Sequence, residues 1–325
     1  MLRRKLALSV LSFSLLMGSA AAMAKTVFIA SDVHPADYPT TAAVIHMGEK
    51  LSQQTDGRLS IRMFPSGQMG DESTTLEKTR AGAIDILRVS MAPVGGILPQ
   101  VSVFNMPFVF RDTDHQHKVL DGDVGSKLAK EISDSNLGLV FLGWMDAGSR
   151  SLITKKPITT LDDLKGVKIR LQNNPIGLDT FKALGANPIV LPVGDVFASL
   201  QTGVIDAAEN NEPTFDTENY VVAGTKYFDL TEHFMIPEVL AFSKRKWSKL
   251  SAEDQALIMK LAKEAQAEER VLWADYVEKS KQRLQSQGVK FLPVDKKPFV
   301  DATAPVREKY GKQFSDLMQQ IQDTK

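Results

Sequence analysis

Apolar and polar positions along this chain alternate between two periods, one of strands and one of helices. Thr26 and the apolar run Val27-Phe28-Ile29-Ala30 read as a buried first strand. The stretch 41–54 places Val44, Met47 and Leu51 at helical spacing. Asp56-Gly57 then turns the chain into 59–64, where the residues alternate as a strand requires. Further strands are predicted over 84–89, 139–142, 167–171, 189–191 and 227–230. Helices are predicted over 73–81, 124–135, 176–184 and 196–201. This alternation predicts an α/β architecture with sheets covered on both faces.

One stretch departs from the rhythm. Ser251 is a good N-cap, and Asp254 follows three residues on as a variant capping box. Apolar residues then recur at Leu257, Leu261, Ala265, Leu272, Tyr276 and Leu284, with no glycine or proline before Gly288. The pattern predicts one helix of about 36 residues, roughly 54 Å long, where a small domain is about 30 Å across. Such a helix must run along more than one lobe; the alternative is a kinked helical pair.

The first 24 residues change the picture of compartment. Arg3, Arg4 and Lys5 lead into an apolar run from Leu6 to Met17, and Ala22-Met23-Ala24 supplies an A-x-A cleavage pattern. This reads as a secretory signal peptide, too short in its apolar core for the ~20 residues of a spanning helix. No later stretch is long and apolar enough to cross a bilayer, so the protein is expected to be soluble, exported to the periplasm and not membrane-embedded. Without the leader, 36 basic residues face 39 acidic ones, a balance of −3 that gives no reason to expect nucleic acid as a partner. The chain has no cysteine, which excludes thiol catalysis and thiolate metal sites and leaves packing alone to stabilise the fold.

Candidate chemistry is sparse. None of the common nucleophile, zinc, P-loop or dinucleotide fingerprints occurs, and no cofactor is expected. His115 and His117 stand two apart in a helical segment, so they point to different faces and do not share a metal. Three arginines are more informative. Arg170 closes the strand that begins at Val167, where open α/β sheets bind ligands, and its planar fork matches a carboxylate. Arg150 follows small residues after a strand that ends at Trp144. Arg88 lies inside an apolar strand and must find an acid, a ligand or solvent.

Several strings then resemble the periplasmic binding subunits of tripartite ATP-independent periplasmic (TRAP) transporters. They are Phe64-Pro65-Ser66-Gly67-Gln68-Met69-Gly70-Asp71-Glu72, Gly82-Ala83-Ile84-Asp85 and Asn105-Met106-Pro107-Phe108-Val109-Phe110-Arg111. The segments 163–170 and 200–211 match as well, and the similarity runs in order from about residue 26 to residue 290. The resemblance implies a two-lobe Venus-flytrap fold with mixed sheets and a long helix spanning both lobes. Lobe I is expected over 25–147 plus 236–275, and lobe II over 148–235 plus 276–325. It also implies a carboxylate-bearing solute paired with Arg170, supported by Arg150 and Asn210. Glu72, Arg88, Ser90 and His34 are implied as contacts on the first lobe.

Within the family, Ala208-Glu209-Asn210-Asn211, Gln172-Asn173 and Arg88 look most like the subgroup that takes hexuronates and related sugar acids. Gln172 and Asn211 join Glu72 and Asn210 as groups for ligand hydroxyls. Val193 stands where sialic-acid binders carry an aromatic residue, and Glu212-Pro213-Thr214-Phe215 replaces an expected Trp-Pro-Ser-Tyr string. C4-dicarboxylates and 2-keto acids are the competing ligands. The resemblance implies delivery of the ligand to membrane subunits of a TRAP transporter and no enzymatic activity. A uronate-processing enzyme using Glu72 and Glu209, or a sensor module on the same fold, are the alternatives from other classes.

Overall fold

The computed structural model describes residues 25–325; the leader read from residues 1–24 lies outside the described residues. Two mixed sheets organise the chain. The first contains β1 (Thr26–Ser31), β2 (Leu59–Phe64), β3 (Ile86–Ser90), β4 (Leu139–Met145) and β10 (Glu238–Ser243), in the order β2-β1-β3-β10-β4. The second contains β5 (Arg150–Thr154), β6 (Lys168–Leu171), β7 (Asn187–Val190), β8 (Ala207–Asn210), β9 (Tyr227–Phe234) and β11 (Lys290–Pro293), in the order β11-β9-β5-β8-β6-β7. The chain passes from the first sheet to the second between Met145 and Arg150. It returns between Phe234 and Glu238, and crosses again along the long helix to β11.

Each sheet has one strand set against its parallel neighbours. β10 runs antiparallel to β3 and β4, and β5 runs antiparallel to β8 and β9. These two strands each begin at a crossing, so the first residues of β5 and β10 lie beside the carboxyl ends of β8 and β3. Alternation in the sequence located most parallel strands to within a few residues. It missed β5, β8, β10 and β11; of these, Ala207–Asn210 is short and ends in two polar residues, with no apolar run to mark it.

The long helix is single and unbroken over Ala252–Ser286. The Ser251 hydroxyl accepts from the Asp254 backbone N–H at 3.1 Å. The reciprocal half of the capping box does not form, because the Asp254 carboxylate pairs with both terminal nitrogens of Arg58 at 2.6 and 3.0 Å. The helix packs first on the helix Pro39–Gln54 and β4, then on the helix Glu212–Thr217 beside the second sheet. Its buried stripe runs through Ala265, Glu269, Trp273, Ser280 and Leu284, while Leu272 and Tyr276 stay half-buried. The stripe keeps helical spacing, but polar residues occupy its middle, so apolar periodicity misplaced the face there.

Gly148, in the first crossing, has φ +61°, and a Cβ there would meet the Trp273 ring at 3.1 Å. Left-handed backbone costs a non-glycine residue of order 1–3 kcal/mol where the surroundings hold it. Gly148→Ala is therefore expected to destabilise by about that amount, read as a lower urea midpoint with unchanged slope.

Candidate functional site

The strand ends converge on a cleft between the sheets. Arg170 sits in β6 between Ala208 of β8 and Ile189 of β7, one residue from the strand's carboxyl end. β5 opens with Arg150 beside the end of β8. Across the gap, β1 leads into Asp32 and His34, β3 carries Arg88, and β10 opens with Glu238. The cleft between them has a volume of about 670 Å³. His34, Glu72, Arg88 and Glu238 line it from the first sheet's side; Arg150, Arg170, Gln172, Asn210 and Asn211 line it from the second. Ser90 does not. Its hydroxyl accepts from Ala92 N at 3.3 Å and its backbone N–H donates to Glu72 Oε1 at 3.0 Å, so it positions Glu72 from behind the wall.

The three arginines differ in how they are neutralised. Arg88, 2% exposed, meets three acids. It donates to Asp32, to Glu72 Oε1 at 2.8 Å and to Glu238 Oε1 at 2.8 Å. Burial disfavours its charge, but these carboxylates overcome that and raise its pKa well above the ordinary value. Arg150 forks onto Glu209 at 2.6 and 2.8 Å and donates to Asn210 Oδ1 at 2.9 Å. Arg170 has neither arrangement. It is 3% exposed, and among the described residues its hydrogen bond is from Nε to the Leu191 carbonyl at 2.8 Å, with no carboxylate paired to it. Burial pulls its pKa down, as expected for a desolvated charge without a partner. Arg170 is the cleft's unneutralised cation.

The Arg150–Glu209 pair has a pH signature. Burial pushes the Glu209 carboxyl up, but the Arg150 charge, with His233 beside it, wins and holds it at about 2 against an ordinary 4.5. A carboxyl whose pKa is lower folded than unfolded stabilises the fold above its unfolded value and loses that contribution as pH falls through its folded value. Wild type should therefore lose its stability advantage over Glu209→Gln as pH drops from about 4.5 to about 2. Acid denaturation curves of the two proteins check this.

The remaining polar residues link the two walls. The Gln172 amide donates to Glu72 Oε2 at 3.4 Å, and the Tyr38 hydroxyl lies 3.1 Å from that of Thr214. Asn211 donates to the Ala147 carbonyl at 2.8 Å, and its own Oδ1 caps the helix Glu212–Thr217 by accepting from Thr214 N. His34 stacks on Tyr38 with ring centroids 3.9 Å apart. Burial and then Arg88 pull its pKa down to about 3, so it is a neutral imidazole. His115 and His117 turn elsewhere, to the Ile321 carbonyl and the Asp146 carboxylate, each at 2.8 Å. Among the described residues no group of three or more His, Cys, Asp or Glu is placed to hold a metal. Nor is any helix there long and apolar enough to cross a membrane.

Residues 30–313 match the model of the bacterial extracellular solute-binding proteins, family 7. The chain belongs to that family. Among solved structures, it is similar to a TRAP periplasmic solute-binding protein from Citrobacter koseri with bound D-glucuronate. They share 50% identity over 92% of this chain and 100% of that one, with a TM-score of 0.90. A Citrobacter koseri structure described as apo and open is 49% identical over 91% and 98% of the two chains, and superposes less well, at 0.81. A protein from Xanthobacter autotrophicus Py2 with bound β-D-galacturonate is 37% identical over 92% and 100%, at 0.88.

This family 7 chain thus has the two-lobe fold of periplasmic binding proteins, and it is a binding protein rather than an enzyme. The acids an enzyme would need are engaged otherwise: Glu209 is locked to Arg150, and Glu72 holds Arg88 and the Ser90 amide. Sequence reasoning missed Glu238, Asp32 and Tyr38. Arg88 carried the signal for the first two, since an arginine inside an apolar strand must find an acid, a ligand or solvent, and here it finds acids.

Proposed function

We propose that this protein captures a hexuronate, D-glucuronate or D-galacturonate, in the periplasm and passes it to the membrane subunits of a TRAP transporter. The observation that carries the reading is Arg170, a buried guanidinium with no acid of its own in a cleft whose other arginines are neutralised. A carboxylate is the group that completes it, through two parallel charge-assisted hydrogen bonds. The uronates bound by the Citrobacter koseri and Xanthobacter autotrophicus proteins support the same ligand class here. A single unneutralised guanidinium suits one carboxylate, which favours a sugar acid over a C4-dicarboxylate. His34, Glu72, Arg88, Gln172, Asn210 and Asn211 supply donors and acceptors for hydroxyls, Arg150 orients Asn210, and Ser90 holds Glu72.

The lobes, taken as 25–147 plus 236–275 and 148–235 plus 276–325, swing together when the ligand touches both walls. Contacts made in the closed form alone shift the population towards it. The leader read from residues 1–24 accounts for export. A thermal-shift screen tests the ligand, because a ligand bound only by the folded protein raises its stability with the logarithm of its excess over Kd. D-glucuronate and D-galacturonate are expected to raise the Tm, with succinate, malate and pyruvate leaving it in place; the reverse pattern would refute the hexuronate reading.

A further inference from the structure

Glu238 stands out in the cleft wall. It is 6% exposed, its Oε1 accepts from Arg88 at 2.8 Å, and its Oε2 is buried with no hydrogen-bond partner among the described residues. The strand pairing explains its place. Arg88 of β3 lies opposite Leu240 of β10, and Glu238, two residues earlier, shares that face as the diagonal neighbour.

The charges around it do not balance. Arg88 is one cation among three acids: Asp32, Glu72 and Glu238. Arg150 faces the group from β5 but is neutralised by Glu209. Tyr38, His34 and, from the long helix, Glu269 complete the titratable surroundings. Burial pushes the tyrosine hydroxyl and the Glu269 carboxyl up and the histidine down, so none of them adds positive charge.

Two buried negative charges in excess favour retention of a proton by the acid with the fewest donors. Asp32 accepts from the His34 backbone and from the Thr40 and Thr41 hydroxyls as well as from Arg88. Glu72 accepts from Ser90 N and Gln172 besides Arg88. Glu238 has Arg88 alone. Burial accordingly pushes its carboxyl up to about 8, against the pull of Arg88 and with a further push from Glu72 and Asp32.

We propose that Glu238, which lines the cleft, works as a neutral carboxylic acid that donates a hydrogen bond to a hydroxyl oxygen of the bound sugar acid, from the wall opposite Arg170. The inference rests on reading the cleft as the sugar-acid site and adds a specificity-determining residue to it. A neutral donor does not repel the anionic ligand, as a third ionised acid on this wall would. It also selects for an oxygen at the ligand carbon it faces, because a deoxy analogue would leave the buried hydroxyl unpaired.

Calorimetric titration with D-glucuronate at about pH 6 and about pH 9.5 tests this on wild type and on Glu238→Gln. Glutamine keeps the shape and a donor but cannot ionise. A uronate is fully ionised at both pH values. With the Glu238 carboxyl near 8, wild type is expected to weaken about 30-fold across the interval. Glu238→Gln is expected to bind with an affinity that does not change between the two pH values. Wild-type affinity unchanged across the interval overturns the proposal, and this arm needs no variant. So does a Glu238→Gln protein that is folded but fails to bind at pH 6, or one that weakens with pH as wild type does.

Should wild type bind no hexuronate at pH 6, the reading of the ligand fails and that of Glu238 is still decided on the protein alone. The infrared band of neutral carboxyls at pH 6 is expected to be stronger in wild type than in Glu238→Gln, with Asp229, whose carboxyl burial pushes up to about 7, contributing to both; equal bands in the two proteins overturn the protonated acid.

Discussion

Alanine at position 170 is expected to weaken binding of the acid by about 3–5 kcal/mol, the usual consequence of leaving one buried charge without its partner. That is roughly 150- to 5,000-fold in Kd, read by titration calorimetry. Arg170→Lys should lose most of the affinity as well, since an ammonium cannot present two parallel N–H groups to one carboxylate. The same variants should unfold no more easily than wild type in the absence of ligand. Arg170 has no carboxylate to abandon, and burial already disfavours its charge. Loss of affinity without loss of stability distinguishes an anchor from a structural ion pair. A large fall in Tm for Arg170→Ala would mean that the side chain holds the fold instead.

Arg88 should behave in the opposite way. Replacing it with methionine leaves Asp32, Glu72 and Glu238 together in a buried wall without their shared cation. Breaking a buried ion cluster from one side costs about 3–5 kcal/mol, and here three acids are left behind by one change. The expected result is a urea midpoint well below wild type at about pH 7.5. The deficit should narrow as pH falls towards 5, because protonation of the acids removes the repulsion that the variant exposes. Equal stability at pH 7.5 would show that the acids are neutralised from elsewhere. Affinity falls too, because Glu72 loses a partner that fixes it in the cleft wall.

The contrast between these arginines marks the limit of what could be read from the chain. Each is a cation in or beside a strand in the sequence, and each lines the cleft in the fold. What separates them is which acids come within reach, and that depends on strand order. Asp32 and Glu238 lie 56 and 150 residues from Arg88 and meet it because β1 and β10 flank β3. Glu209 meets Arg150 because β8 pairs with β5. Such pairings are not encoded in local spacing, whereas strands such as 59–64 and the uninterrupted run after Ser251 are. The helix ends followed from local chemistry, as with Ser251 capping Asp254 N. The fate of the Asp254 carboxylate did not, because Arg58 reaches it from a turn far away in the chain.

The most direct test of the account is a crystal structure of the protein loaded with D-glucuronate. The predicted result is the ligand carboxylate lying against both terminal nitrogens of Arg170 at about 2.7–2.9 Å, closed in between the two sheets. A carboxylate held by another cation, with the Arg170 guanidinium turned to water, would contradict it.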